Sequence, residues 1–362
     1  MINYPTIAKY LVSLFSRQFF STSAVIVAIL IVSNAFDTLK NFKAITIEPR
    51  EFWLLIFYKV PYLFNEVSVI VGFIATILFI QAIRKNNELI IILSNGIAIW
   101  KIFLVPAAVT FVFGIVIVAI INPLGTYGLR EYKNLEAKLT GKSKTNLIVS
   151  QSGIFFYEKF DSHNRVIQAE SINTNKKMLC GLTILVVDSQ NNLIQRFDAP
   201  SAYIDSGVFT LSNAVITYSD FVEKADELKL PTNLSINSLV LRFSPPERIN
   251  LWDLANSIRK FAKSGLPVTK YQLHYFKQLL KPLAMVSMAF IACWFVSLNL
   301  RDNSNSTVLV VGIIWGICTY FLLELSFRIL AYSGLTPLLA ILLPISFIIL
   351  ISNFVILHFQ EA

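Results

Sequence analysis

Four groups of residues in this 362-residue chain have types and spacings that could do chemistry. Glu324 and Arg328 stand four apart near the end of an apolar run, so on a helix they share a face and can pair. They make either an interfacial ion pair or a polar cavity rim facing a ligand's charged head. Lys40 and Lys43, three apart, either anchor a helix end at a membrane surface or hold phosphates or anionic sugars by charge-assisted hydrogen bonds. Glu66 lies one turn into another apolar run, where charge is costly. It sits at the interface or faces a hydrated cavity. The stretch "RKNNELIIILSNG", residues 84–96, carries Arg84, Lys85 and Glu88, then an apolar run from Leu89 to Leu93 that is too short to cross a bilayer, then Gly96. It is either an interfacial linker or a protruding helix. In the second case Glu88 meets basic residues of a partner while the apolar side fills a groove.

A catalytic set does not emerge. The sequence has no Walker lysine loop, no Gly-x-Ser-x-Gly and no His-Glu-x-x-His. His163, His274 and His358 are far apart, and Cys180, Cys293 and Cys318 have neither disulfide nor zinc spacing. No catalytic residue, metal or cofactor is expected. A lipid-modifying enzyme using Glu66 or Glu324 as a base would lack a nucleophile, metal ligands and a histidine partner.

The elements that must position these residues follow from hydropathy. The chain is 55% hydrophobic and 15% charged, with mean hydropathy +0.63, against about 25% charged in soluble domains. Its net charge of +9 is scattered rather than gathered on one helix or ribbon, which excludes nucleic-acid binding and fits basic loops beside membrane spans. Apolar runs of about 20 residues each suffice to cross a bilayer. Three such runs end at Phe36, Ile83 and Ile121, and three more follow Gln278. The expectation is a polytopic α-helical membrane protein with six transmembrane helices, three plus three, and an all-β domain inserted between the halves. Residues 1–125 hold the first three helices, with the surface helix at 84–101; residues 126–275 hold the β domain and a helical tail; residues 276–362 hold the last three helices. The first run is too long for a cleavable signal and lacks a small-residue cleavage site. Short Val-, Ile-, Phe- and Tyr-rich runs separated by turn residues suggest an antiparallel sandwich or jelly roll. The tail opens after Pro246 and closes at Gly265 and Pro267. Basic residues divide too evenly between the two sides of the spans to set orientation.

With this layout, "NNELIIILSNG", "TKYQLHYFKQLLKPLAMVSMAF", "NLRDNSNS" and "AFDTLKNFK" together make the chain resemble the lipopolysaccharide-export permeases LptF and LptG, its LptG branch more closely, over nearly its whole length. The resemblance implies a multi-pass permease subunit of an ABC-type exporter in the bacterial inner membrane. It also implies a cytoplasmic LptB-like ATPase dimer, a second, LptF-like permease subunit, LptC- and LptA-like periplasmic jelly-roll proteins, and lipopolysaccharide as substrate. ATP hydrolysis then belongs to a separate subunit, and the β domain is periplasmic. By the same resemblance Glu88 is the ATPase-coupling carboxylate, with Arg84, Leu89 and Gly96 shaping its helix. Lys40 is a substrate head-group residue, with Lys43 one turn along. Spans one and five form a lateral gate carrying Phe36, Gly312 and Gly316. Arg301 falls at the family's arginine position, whereas Asn34 and Asn41 stand where LptG can carry lysines. An LptF-type subunit and a non-transporting, membrane-anchored envelope assembly factor are the alternatives.

Overall fold

The computed structural model describes residues 4–43, 47–140, 146–147, 154–160, 163–173, 178–187, 193–205, 207–218, 221–232, 245–263, 268–298 and 305–358. Arg301, Gly265 and Pro267 lie outside them. Two compact units emerge: Met1–Tyr132 with Gln272–Ala362, and Lys133–Tyr271. The helix containing Gly125 runs on to Leu139.

In the first unit α1 (Tyr4–Asn41) and α2 (Pro49–Lys85) run antiparallel. Pro49 opens α2, where its fixed φ suits a first turn. A short helix α3 (Glu88–Ser94) leads to α4 (Ile99–Val116), which passes through a π-helical segment (Ile117–Ile121) into α5 (Asn122–Leu139). After the second unit come α7 (Thr269–Leu279), α8 (Lys281–Leu298), α9 (Asn305–Tyr332) and α10 (Pro337–His358). Among the described residues five helices are long and apolar enough to cross a membrane. Helices α7 and α8 meet at 57° and pass the same test as a pair, giving six spans if the bent pair is one.

Lipid tails are as apolar as leucine, so packing and polar contacts, not the hydrophobic effect, join spans. Phe15, Phe73, Phe79 and Phe103 are fully buried between them. Small residues set the closest approaches. Pro282 cannot donate to the Gln278 carbonyl one turn back, which breaks the helix between α7 and α8. Gly114 of α4 makes room for that break: a Cβ there would lie 2.6 Å from Pro282 Cα. Along α5, Gly125 and Gly128 press on the α2 backbone at Tyr62 and Tyr58.

The second unit holds one antiparallel sheet of β1 (Asn146–Leu147), β2 (Ile154–Phe160), β3 (His163–Asn173), β4 (Met178–Val187), β5 (Leu193–Asp205), β6 (Val208–Thr217) and β7 (Val222–Pro231). From β3 to β7 consecutive strands pair, while β1 and β2 both pair with β3. Ile167, Ile184, Phe197 and Ile216 lie opposite one another across four strands, and all are buried. Such cross-strand rows on one face fix register, because a slip of one residue would turn the row to the other face. The expected tail helix is present as α6 (Leu251–Lys263), preceded by a 3-10 turn at Pro246–Arg248.

Candidate functional site

The turn after α2 builds the first site. Asn87 takes a left-handed conformation, φ +58, which Asn tolerates better than most residues. It reverses the chain into α3. Leu89 and Ile92, three apart, are buried in the helical core, while Ile90, Ile91 and Leu93 point out. Gly96 ends the excursion at φ +79 with open space around its Cα, so glycine is needed there for its backbone freedom rather than for room. Glu88 accepts hydrogen bonds from the Tyr10 hydroxyl of α1, at 3.0 and 2.9 Å, and from Asn86 Nδ2, at 3.0 Å. Of the predicted stretch 84–101, only 88–94 forms a separate helix; its flanks belong to α2 and α4. Arg84 lies in the last turn of α2.

The opposite end of α1 carries Phe36, Lys40 and Lys43, all exposed. Val25, Ile29, Val32 and Phe36 recur at helical spacing and are more than half exposed. They make an apolar stripe that Lys40 crowns. Asn34 turns the other way: it is fully buried, and its Nδ2 donates to the Ile56 carbonyl of α2 at 3.0 Å. It therefore cannot stand in for a lysine on the exposed face.

A third group gathers at the bend between α7 and α8. Lys277 lies 2.8 Å from Glu324 of α9 and 3.5 Å from Glu66 of α2. Gln278 donates to Glu66 at 3.3 Å and accepts from Asn65 at 3.2 Å. Lys281, 3% exposed, donates to the Asn65 carbonyl and Oδ1 at 2.8 and 2.9 Å. The Tyr320 hydroxyl donates to the Glu66 carbonyl at 3.3 Å and to Glu324 at 3.4 Å. Two carboxylates and two ammonium groups balance. The cluster lines a cavity whose other walls include Val69, Leu323 and Phe327. The expected Glu324–Arg328 pair is not formed: Glu324 takes Lys277 instead, and Arg328 is exposed. Spacing along one helix permitted the pair, but a lysine from another helix lies closer.

Gly312 and Gly316 face away from α1. A Cβ on Gly312 would lie 2.8 Å from Ile77 Cδ1, and one on Gly316 would lie 2.1 Å from Phe73 Cε1, both on α2. The close approach they permit is inside this chain. Among the described residues no group of three or more His, Cys, Asp and Glu side chains is placed to hold a metal ion.

Sequence comparison supplies the frame for this arrangement. The profile of the family described as "Lipopolysaccharide export system permease LptF/LptG" matches residues 9–358. The chain belongs to the LptF/LptG family. The family is one of permeases, and the long apolar helices of this chain fit a membrane protein. It is 26% identical over 127 residues to the lipopolysaccharide export system permease protein LptG of Escherichia coli K12, and equally to that of Escherichia coli O6:H1 strain CFT073. Each match covers 35% of this chain and 35% of the relative, so the aligned part spans about a third of the relatives' length.

Several residues of this permease's sites escape the sequence reading. Lys277 and Lys281 are four apart at the head of the fourth apolar run, but Glu66 and Asn65 lie some two hundred positions before them and Glu324 lies 47 positions after Lys277. Tyr10 gives no signal in the sequence, and only the hydrogen bond to Glu88 marks it.

Proposed function

We propose that this permease is the LptG-type subunit of an ATP-driven lipopolysaccharide exporter. In this reading the α7–α8 pair counts as one span, giving six. Both termini and α3 face the cytoplasm, and the β unit is a jelly-roll-like periplasmic domain that passes lipopolysaccharide to LptC- and LptA-like proteins. An LptF-like second subunit completes the membrane pair, and an LptB-like ATPase dimer binds α3.

The observation that carries this reading is α3 itself. A seven-residue helix with a half-exposed carboxylate and outward Ile90, Ile91 and Leu93 is poorly suited to water and well suited to a groove on a soluble partner. We expect Glu88→Ala to weaken retention of the ATPase about tenfold or more in a detergent pull-down while the permease stays folded, since a charge-assisted contact contributes about 1.5–3 kcal/mol. A full complement of ATPase on the variant would remove the coupling role.

At the far side, contacts of α1 and α9 with α2 place Lys40 and Arg328 toward the same membrane face. Asn34 meets Ile56, whereas Gly316 and Glu324 lie by Phe73 and, through Lys277, Glu66. Val310, Ile314, Phe321 and Leu325 form an exposed apolar stripe on α9 below Arg328. The exposed faces of α1, with Phe36, and of α9 would make the lateral gate. Gly312 and Gly316 would serve it indirectly by seating α9 on α2. Acyl chains moving from bilayer to an equally apolar chamber keep their transfer energy of about 0.8 kcal/mol per methylene, so the external ATPase need only supply the work of closing the chamber. With Lys40 and Lys43 both changed to Asp, photocrosslinking of lipopolysaccharide to a probe at Phe36 should fall severalfold. Undiminished crosslinking would reduce both lysines to surface anchors.

A further inference from the structure

Helix α1 is held unevenly. Near its start Leu11, Phe15 and Phe19 are buried. Beyond them the main footings are Asn34 and Thr38, and only 17% of its apolar window is buried, against 61% for α2. At a rise of about 1.5 Å per residue, the thirty residues from Tyr10 to Lys40 make a rod about 45 Å long. At its lower end the Tyr10 hydroxyl lies within 3.0 Å of both Glu88 carboxylate oxygens. Covalent connection already ties α3 to α2 and α4. The hydrogen bond adds a third attachment, to a helix that packs along α2 but leaves its outer stripe exposed.

We infer that Tyr10 is a positioning residue that joins the coupling helix to α1, so that displacement of Glu88 moves the helix bearing the exposed stripe and Lys40. This rests on the reading of α3 as the ATPase-facing helix. A carboxylate has about four acceptor positions. Tyr10 and Asn86 leave capacity for a cation from a partner, so the internal tie and the external contact coexist on one side chain. A pull on Glu88 then reaches α1 directly as well as through α2, against which α1 packs.

The test uses the assembled exporter in proteoliposomes containing lipopolysaccharide. Tyr10→Phe keeps the ring and removes the donor. The ATPase should remain bound, while lipopolysaccharide released per ATP hydrolysed falls about tenfold or more, the effect of one hydrogen bond to a charged group. Tyr10→Gln, which returns a donor, should recover part of that loss. Spin labels at Phe36 of α1 and Phe57 of α2, both exposed, should show a nucleotide-dependent change in distance that shrinks by at least half in Tyr10→Phe. A merely structural role for the tyrosine would not alter that change. An unaltered release ratio and an unaltered distance change overturn the inference. If they occur while Glu88→Ala still sheds the ATPase, the coupling role of α3 survives. If Tyr10→Phe uncouples release but Glu88→Ala retains the ATPase, the tie stands and the assignment of Glu88 as the ATPase contact falls. Should Tyr10→Phe fail to assemble, Tyr10→Met, which also lacks the hydroxyl donor, is measured for the same distance change, and a wild-type response overturns the inference.

Discussion

Lys277→Ala is expected to cost the helical unit about 3–5 kcal/mol, the usual penalty for removing one partner from a buried ion pair. It would leave Glu66 and Glu324 at one cavity with Lys281 as the remaining ammonium of the cluster, and that ammonium is committed to Asn65. Thermal unfolding in mild detergent should show a lower apparent Tm for the single variant. The companion variant Lys277→Met with Glu324→Gln should recover most of the loss, because it removes one charge of each sign and leaves Glu66 to balance Lys281. A single variant that unfolds at the wild-type temperature would mean that the cluster is wetter and weaker than its geometry implies. The side chains of Lys277, Glu66 and Glu324 are all less than a third exposed, at 26%, 29% and 18%, so solvent screening leaves much of the interaction in place.

Gly316→Val should destabilise the chain by about 1–3 kcal/mol or more through overpacking. Its Cβ would fall 2.1–2.7 Å from three atoms of the Phe73 ring, and Phe73 is fully buried with no direction in which to retreat. Pairing Gly316→Ala with Phe73→Leu should relieve part of the strain, and the two changes should therefore be non-additive. Unfolding of the separate subunit in detergent tells this apart from a gate role. If Gly316 served only a contact with another subunit, the isolated chain would keep its stability and only transport would suffer.

What the sequence reveals and what it hides both have physical reasons. Hydropathy marks the part of a helix that sits in hydrocarbon, so the apolar runs locate α1, α2, α4, α9 and α10. It says little about where a helix ends: α2 begins at Pro49, fourteen residues before the run that announces it at Leu63. Strands β2 to β6 show in their Val-, Ile- and Phe-rich runs. Strand β7 does not, because Glu223, Lys224, Asp226, Glu227 and Lys229 make it read as a loop. Such charges suit a strand at a sheet edge, and only Leu228 and Leu230 pack against the sheet core. Helix α3 is legible because its signal is local: a carboxylate, a short apolar run and a glycine in thirteen residues. The charged cluster is not, because it draws on α2, α7, α8 and α9, and no spacing rule links Glu66 to Lys277. The Glu324–Arg328 expectation fails for the same reason.

The π-helical segment at Ile117–Ile121 has one more consequence. A π turn spends one residue more than an α turn, so it resets the azimuth of everything after it by about 100°. Wound as an uninterrupted α-helix, the same residues would swing Gly125 and Gly128 round the axis and present a side chain where the Tyr58 carbonyl now lies close to Gly128. The widened turn works as a phase shifter, letting the glycine-bearing flank of α5 stay aligned with α2 although α4 alone would have aimed it elsewhere.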